Sequence, residues 1–129
     1  MGGIFAREMA REEPNMVRRV ITLASPFAAN VEKHISRLIL KEFCALSGYD
    51  KVKTQKGLDR TRRTPPVNCT AIYSRTDAVV SWEACCEEDV PHAENVEAAG
   101  THWGMVHNIQ AFEIMAHRLH LPVHQLKSV

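Results

Sequence analysis

Two side chains in this sequence carry the chemistry of an acid-oriented base. Asp77 closes the polar loop Ser74-Arg75-Thr76-Asp77 after one strand-like run, and His102 sits within Gly100-Thr101-His102-Trp103-Gly104 after another. A carboxylate that accepts the Nδ1 proton of an imidazole fixes its tautomer, so that Nε2 can take a proton from a hydroxyl nucleophile. The hydroxyl is the missing partner. Ser25 also follows a strand, but it precedes Pro26 and lacks flanking elbow glycines, so it reads as a loop residue near the site. Of the seven histidines, His107, His117, His120 and His124 fall in or beyond the last helix, where an imidazole more often serves a helix end or solvent than a base. Cys85, Cys86, His102 and His107 are close along the chain but have no recognised zinc spacing, so no metal site is expected.

The elements that must position Asp77 and His102 follow from hydrophobic periodicity. Residues 1–13 read as a helix with Ile4, Phe5 and Met9 on one face, Arg7, Glu8, Arg11 and Glu12 elsewhere, and Pro14 as its stop. It opens on Met1-Gly2-Gly3 with no Ser, Thr, Asp or Asn to cap it, so the start is expected to be a truncation. Residues 17–23 and 67–73 read as buried strands, and 95–99 as a third, weaker one. Between them, Val31, Ile35, Leu38, Ile39, Phe43 and Leu46 mark an amphipathic helix over 30–47, with Asn30 as its cap. A basic surface loop over 49–66 follows. Val106, Ile109, Phe112, Met115 and Leu119 give the inner face of a last helix that ends before Pro122. Strands joined by long crossovers predict an α/β architecture, about three parallel strands with flanking helices. Sites in such sheets gather beyond the C-terminal strand ends, which is where Asp77 and His102 fall.

Composition sets the outer bounds. The chain has 129 residues, 45% of them hydrophobic and 24% charged, which suits one globular domain. Lys+Arg 16 against Asp+Glu 15 gives a net charge of +1 with no dense basic block, so nucleic acid is not an expected partner. The longest mostly apolar stretch, 20–29, is interrupted by Thr22, Ser25 and Pro26 and is too short for a membrane helix. Arg7 and Glu8 break any signal-peptide h-region, which makes a cytoplasmic location the default. Cys44, Cys69, Cys85 and Cys86 show no C-x-x-C spacing and define no disulfide framework.

Four segments together carry a family resemblance. They are Met1-Gly2-Gly3 with its helix, Val20-Ile21-Thr22-Leu23-Ala24-Ser25-Pro26, Ile72-Tyr73-Ser74-Arg75-Thr76-Asp77-Ala78-Val79-Val80, and Gly100-Thr101-His102-Trp103-Gly104. Over nearly its whole length the chain resembles the C-terminal half of an α/β-hydrolase of the bacterial lipase and esterase type. That family's nucleophile elbow, Gly-x-Ser-x-Gly, often reads Gly-His-Ser-Met-Gly-Gly, whose last three letters are the first three here. The resemblance implies a serine immediately before Met1, with the Met1 N–H as an oxyanion donor and Gly2 as the small residue that a strained elbow requires. It assigns Asp77 as the acid and His102 as the base of a Ser-Asp-His triad, and places 27–64 where family members carry a cap or lid. The implied parent hydrolyses small-molecule or lipid carboxylic esters through an acyl-serine, without a cofactor. The 129 residues alone, lacking the nucleophile, are expected to be inactive unless an in-frame upstream segment restores it.

The alternative is a non-catalytic α/β interaction module or oligomerising remnant. Without preceding strands, the apolar edge at 17–23 would be unpaired and would drive self-association. An oligomeric or insoluble chain is therefore expected, whereas a clean monomer with a cooperative melt would favour the module.

Overall fold

The computed structural model describes residues 2–28, 60 and 62–122. Met1, Cys44, His124, the helix expected over 30–47, and most of the 27–64 lid segment and of the 49–66 loop lie outside the described residues. Within them, helix α1 (Gly2–Glu12) leads to strand β1 (Arg19–Leu23). Strands β2 (Asn68–Tyr73) and β3 (Ala93–Glu97) and helix α2 (Ile109–His120) follow. Two short 3-10 turns, Trp82–Cys85 and Gly104–His107, sit in the connections before β3 and before α2. The three strands form one parallel sheet in the order β1-β2-β3, with Val20 opposite Cys69 and Ile72 opposite Val96.

Parallel strands must have both faces covered, and the two helices divide that work. On one face Ala6 and Ala10 of α1 pack with Val20, Val67, Cys69 and Ala93. On the other, Ala111, Ile114 and Met115 of α2 pack with Ile21, Leu23, Ile72, Ala98 and Met105. The central strand β2 is buried from Asn68 through Ile72, which is why its sequence alternates so little. Polar groups on β3 explain why it reads weakly as a strand. Glu94 accepts from Thr70 Oγ1 at 2.8 Å and pairs with Arg118, while Asn95 exchanges two hydrogen bonds with the Glu87 backbone. The strand also starts two residues earlier than its apolar pattern suggests.

Both helices are rotated relative to their apolar periodicity. Phe5 and Met9 of α1 are 63% exposed, whereas Arg7 and Ala10 are fully buried. The reason is a close approach between helix and sheet. A Cβ on Gly3 would overlap Ser25 Oγ, and would lie 2.7 Å from Ser25 Cβ and 3.1 Å from Thr22 Cγ2. Small residues therefore face β1, and the bulky apolar ones turn outward. Arg7 takes the inward position because it is fully paired there. Its guanidinium bonds Glu87 and donates to the Arg63 carbonyl at 3.1 Å, and it stacks 3.6 Å from the Phe27 ring centroid. Burial pulls its pKa down to about 10, which still leaves it charged at neutral pH. On α2 the inner positions are Ala111, Ile114 and Met115, while Ile109, Phe112 and Leu119 are exposed, and Val106, also exposed, falls in the 3-10 turn before the helix. Of the five apolar residues expected on its inner face, only Met115 packs inward. Arg118 fixes the rotation by reaching Glu94 across the sheet face. No helix among the described residues is long and apolar enough to cross a membrane.

Candidate functional site

All three strands run in the same direction, so the chain segments that leave their C-terminal ends share one edge of the sheet. After β1 the chain passes through Ala24, whose φ of 45° lies in the left-handed region, and turns into Ser25-Pro26. The backbone N–H groups of Phe27 and Ala28 then both donate to the Ala84 carbonyl at 2.8 Å, docking this segment on the 3-10 turn that follows β2. After β2 the chain makes the Ser74-Arg75-Thr76 turn and delivers Asp77. Its next residues are anchored by an apolar cluster in which Val79 and Tyr73 pack against Val80, Ala84 and Cys85.

Asp77 is held by three N–H groups. Oδ1 accepts from the backbone N–H of Val79 at 2.8 Å and of Val80 at 3.0 Å, a local arrangement that Asp supports after a tight turn. Oδ2 meets His102 Nδ1 at 2.7 Å. The Asp77 side chain is only 2% exposed and the His102 side chain 26%. An ionised carboxylate can only accept, so Nδ1 is the donor, and in the neutral ring the lone pair is on Nε2. Among the described residues, Nε2 has no hydrogen-bond partner. The Asp–His pairing read from the sequence is thus a direct contact.

The His102 loop is held by local hydrogen bonds. The Thr101 carbonyl accepts from Met105 N–H at 2.9 Å, and Thr101 Oγ1 accepts from Gly104 N–H at 3.1 Å. A Cβ on Gly104 would lie 2.9 Å from that hydroxyl, so a larger residue here would have to displace the Thr101 side chain. Met105 is buried under the loop, and Asn108 bridges it to α2. Asn108 Nδ2 donates to the Ala99 carbonyl at 2.6 Å while Oδ1 caps the Ala111 N–H. Trp103 is exposed, and its ring lies edge-on to the imidazole at 5.9 Å between centroids.

Among the described residues, no hydroxyl or thiol is hydrogen-bonded to the imidazole. Ser25 Oγ bonds the Leu23 carbonyl, and Ser81 Oγ bonds Glu83. Burial, reinforced by the Asp77 charge, pushes the Cys85 thiol up to about 12, so it is protonated and poorly nucleophilic at neutral pH. Among the described residues, no group of three or more His, Cys, Asp and Glu side chains could hold a metal ion. Sequence reasoning missed Ser74, which joins the Asp77 and His102 loops, and the buried Arg7–Glu87 pair. The first stands inside the Ser-Arg-Thr-Asp turn, but its bonds to Gly100 are made between two loops and leave no local signal. The second had none either, because its partners are 80 positions apart. No family model, curated protein or solved structure matches this chain.

Proposed function

We propose that this chain carries the acid and base of a serine carboxylic-ester hydrolase. In this reading His102 Nε2 takes the proton of an attacking hydroxyl, Asp77 stabilises the imidazolium that forms, and His102 then returns the proton to the leaving alkoxide. The observation that carries it is the 2.7 Å contact between His102 Nδ1 and a carboxylate whose other oxygen is fixed by two backbone N–H groups, with Nε2 unpartnered among the described residues. Such a carboxylate cannot rotate away, so the imidazole keeps one tautomer and one orientation. The hydroxyl comes from a serine before Met1, as the resemblance of Met1-Gly2-Gly3 to an elbow implies, and the Met1 N–H donates to the oxyanion. The tight packing of Gly3 on Thr22 and Ser25 supports this placement, because it sets the first turn of α1 at the same sheet edge as Asp77 and His102. The substrate class is a small-molecule or lipid ester.

The test is expression of the chain extended through its in-frame upstream codons, followed by labelling with a fluorophosphonate. The extended protein is expected to label, and to lose the label in Asp77→Ala, His102→Ala. Labelling that persists in that double variant, or upstream codons without a Gly-x-Ser, would overturn the reading.

The second reading is an interaction module. It is favoured by one observation, the exposure of Phe5, Met9, Ile109, Phe112 and Leu119 on the outer faces of the two helices, apolar surface of the kind that marks contact sites. β1 is also an edge strand of the described sheet, which fits the self-association expected of it. Sedimentation velocity separates these: a clean monomer with a cooperative melt favours a folded module, and concentration-dependent oligomers or insolubility support a remnant that self-associates through its open sheet edge.

A further inference from the structure

The loops that carry Asp77 and His102 are joined by a third side chain. Ser74 Oγ donates to the Gly100 carbonyl at 2.6 Å, and accepts from the Gly100 N–H at 3.1 Å and the Thr76 N–H at 3.2 Å. A hydroxyl has one proton and two lone pairs, so this one is fully used. Ser74 is 2% exposed, which makes each of these bonds costly to leave unmade. Thr76 Oγ1 adds a further contact to the Gly100 carbonyl at 3.2 Å. Ser74 lies three positions before Asp77, and Gly100 two positions before His102. A Cβ on Gly100 would lie 3.1 Å from Asn108 Nδ2 and 3.3 Å from Met105 Sδ, so the backbone that Ser74 grips is pressed against the capped start of α2.

We propose that Ser74 is a positioning residue for the Asp77–His102 pair: by holding Gly100 through both its N–H and its C=O, the hydroxyl sets the register of one loop against the other. Asp77 is fixed within its own loop by Val79 and Val80, but His102 is fixed to Asp77 by a single hydrogen bond. One bond to a partly exposed ring does not stop two loops from sliding. A hydroxyl that makes bonds to both polar groups of one peptide position does. The geometric part of this inference stands by itself, and its catalytic consequence rests on the hydrolase reading above.

The test reads the tautomer of His102 by long-range 1H–15N NMR on the full chain, at a pH where the ring is neutral. The wild type is expected to show Nδ1–H, and Asp77→Asn marks the opposite extreme, Nε2–H. Ser74→Ala is expected to lose the preference for Nδ1–H, and Ser74→Thr, which keeps the hydroxyl, to restore it. Should Ser74→Ala fail to fold, Ser74→Cys fills nearly the same space with a weak donor and is expected to show the same loss. A purely structural role would lower the melting temperature and leave the tautomer unchanged. Wild-type tautomer in both Ser74→Ala and Ser74→Cys, or no Nδ1–H preference in the wild type, overturns the proposal. In the extended protein, Ser74→Ala is expected to lower kcat by up to about a hundredfold with KM unchanged, the size of effect that a misplacement of about 1 Å produces. Fluorophosphonate labelling that survives Asp77→Ala, His102→Ala would sink the hydrolase reading while leaving the tautomer result intact.

Discussion

Arg7 and Glu87, one on the inner face of α1 and the other in the loop before β3, form an ion pair sealed from solvent. Further partners surround it. Thr64 Oγ1 donates to Glu87 Oε2 at 2.9 Å, the Arg63 carbonyl accepts from Arg7, and the Phe27 ring covers the guanidinium. Removing one charge would leave the other buried and uncompensated, which costs more than the pair contributes. Arg7→Ala is therefore expected to destabilise the fold by about 3 to 5 kcal/mol. Arg7→Met with Glu87→Leu, which removes both charges and keeps volume, is expected to recover most of that loss. Urea unfolding followed by circular dichroism measures both. A single variant that costs as little as the double one would show that the charges are not buried as a pair.

Gly3 provides the steric counterpart. An alanine here favours helix by about 1 kcal/mol over glycine. The new carbon would nevertheless meet Ser25 Cβ at 2.7 Å and Thr22 Cγ2 at 3.1 Å, with Ser25 Oγ closer still. Overpacking of this kind typically costs about 1 to 3 kcal/mol, so the clash wins. Gly3→Ala is expected to lower stability, and Gly3→Ala with Ser25→Gly to restore it, because the second change removes both Ser25 atoms in the way. Thermal melts of the two variants decide it.

The parallel three-stranded sheet and the loop positions of Asp77 and His102 were legible because they depend on local signals: short β-branched runs, the Pro65-Pro66 break before β2, and polar turns after each strand. Helix rotation was not. Phe5, Met9, Ile109 and Phe112 have the spacing of an inner face, yet the inner positions go to Gly3, Ala10 and Ala111. Helix-to-sheet distance, a tertiary quantity, selected small residues over large ones. Arg7 shows the same limit from the polar side, since a charge is buried only where the fold brings a distant carboxylate to it. Ser74 stands within the motif without a visible role, because its role is a contact with Gly100, on a loop fixed by a different strand.

Two thiols are expected to make the fold sensitive to alkali. Burial raises Cys69 from 9.0 to about 11 and Cys85 from 9.0 to about 12. Between pH 9 and 10 the unfolded chain has begun to lose these protons while the native chain keeps them, so the native state binds more protons and stability falls as pH rises. From pH 9 to 10 the loss is about 1 kcal/mol per thiol. Arg7 works in the opposite sense, because its lowered pKa lets the native chain shed a proton that the unfolded chain retains. Between pH 9 and 10 Arg7 has lost at most half of its native charge, so the two thiols dominate there. Urea midpoints across this range should fall in the wild type and fall less in Cys69→Ala, Cys85→Ala. An equal slope in the two would contradict the burial of the thiols.

Asp77→Asn separates holding from chemistry. The amide oxygen of the substituted side chain can still accept from Val79 and Val80 N–H, so the turn after β2 has the bonds it needs and stability should change little. What changes is the group facing His102. An amide NH2 donates, so it pairs with an unprotonated Nδ1 and forces the proton onto Nε2, the atom that must be free to accept from the hydroxyl. The ring then sits in the right place in the wrong form. In the protein extended to include its serine, the labelling rate is expected to fall by about four orders of magnitude, the size of loss that a wrong tautomer causes in a triad. The melting temperature should shift by no more than a few degrees. Asp77→Ala is expected to lose the turn bonds as well, and so to fall in both measurements. If Asp77→Asn labelled at close to the wild-type rate, the carboxylate would be a turn residue that happens to touch a histidine, and the acid of the site would have to be sought elsewhere.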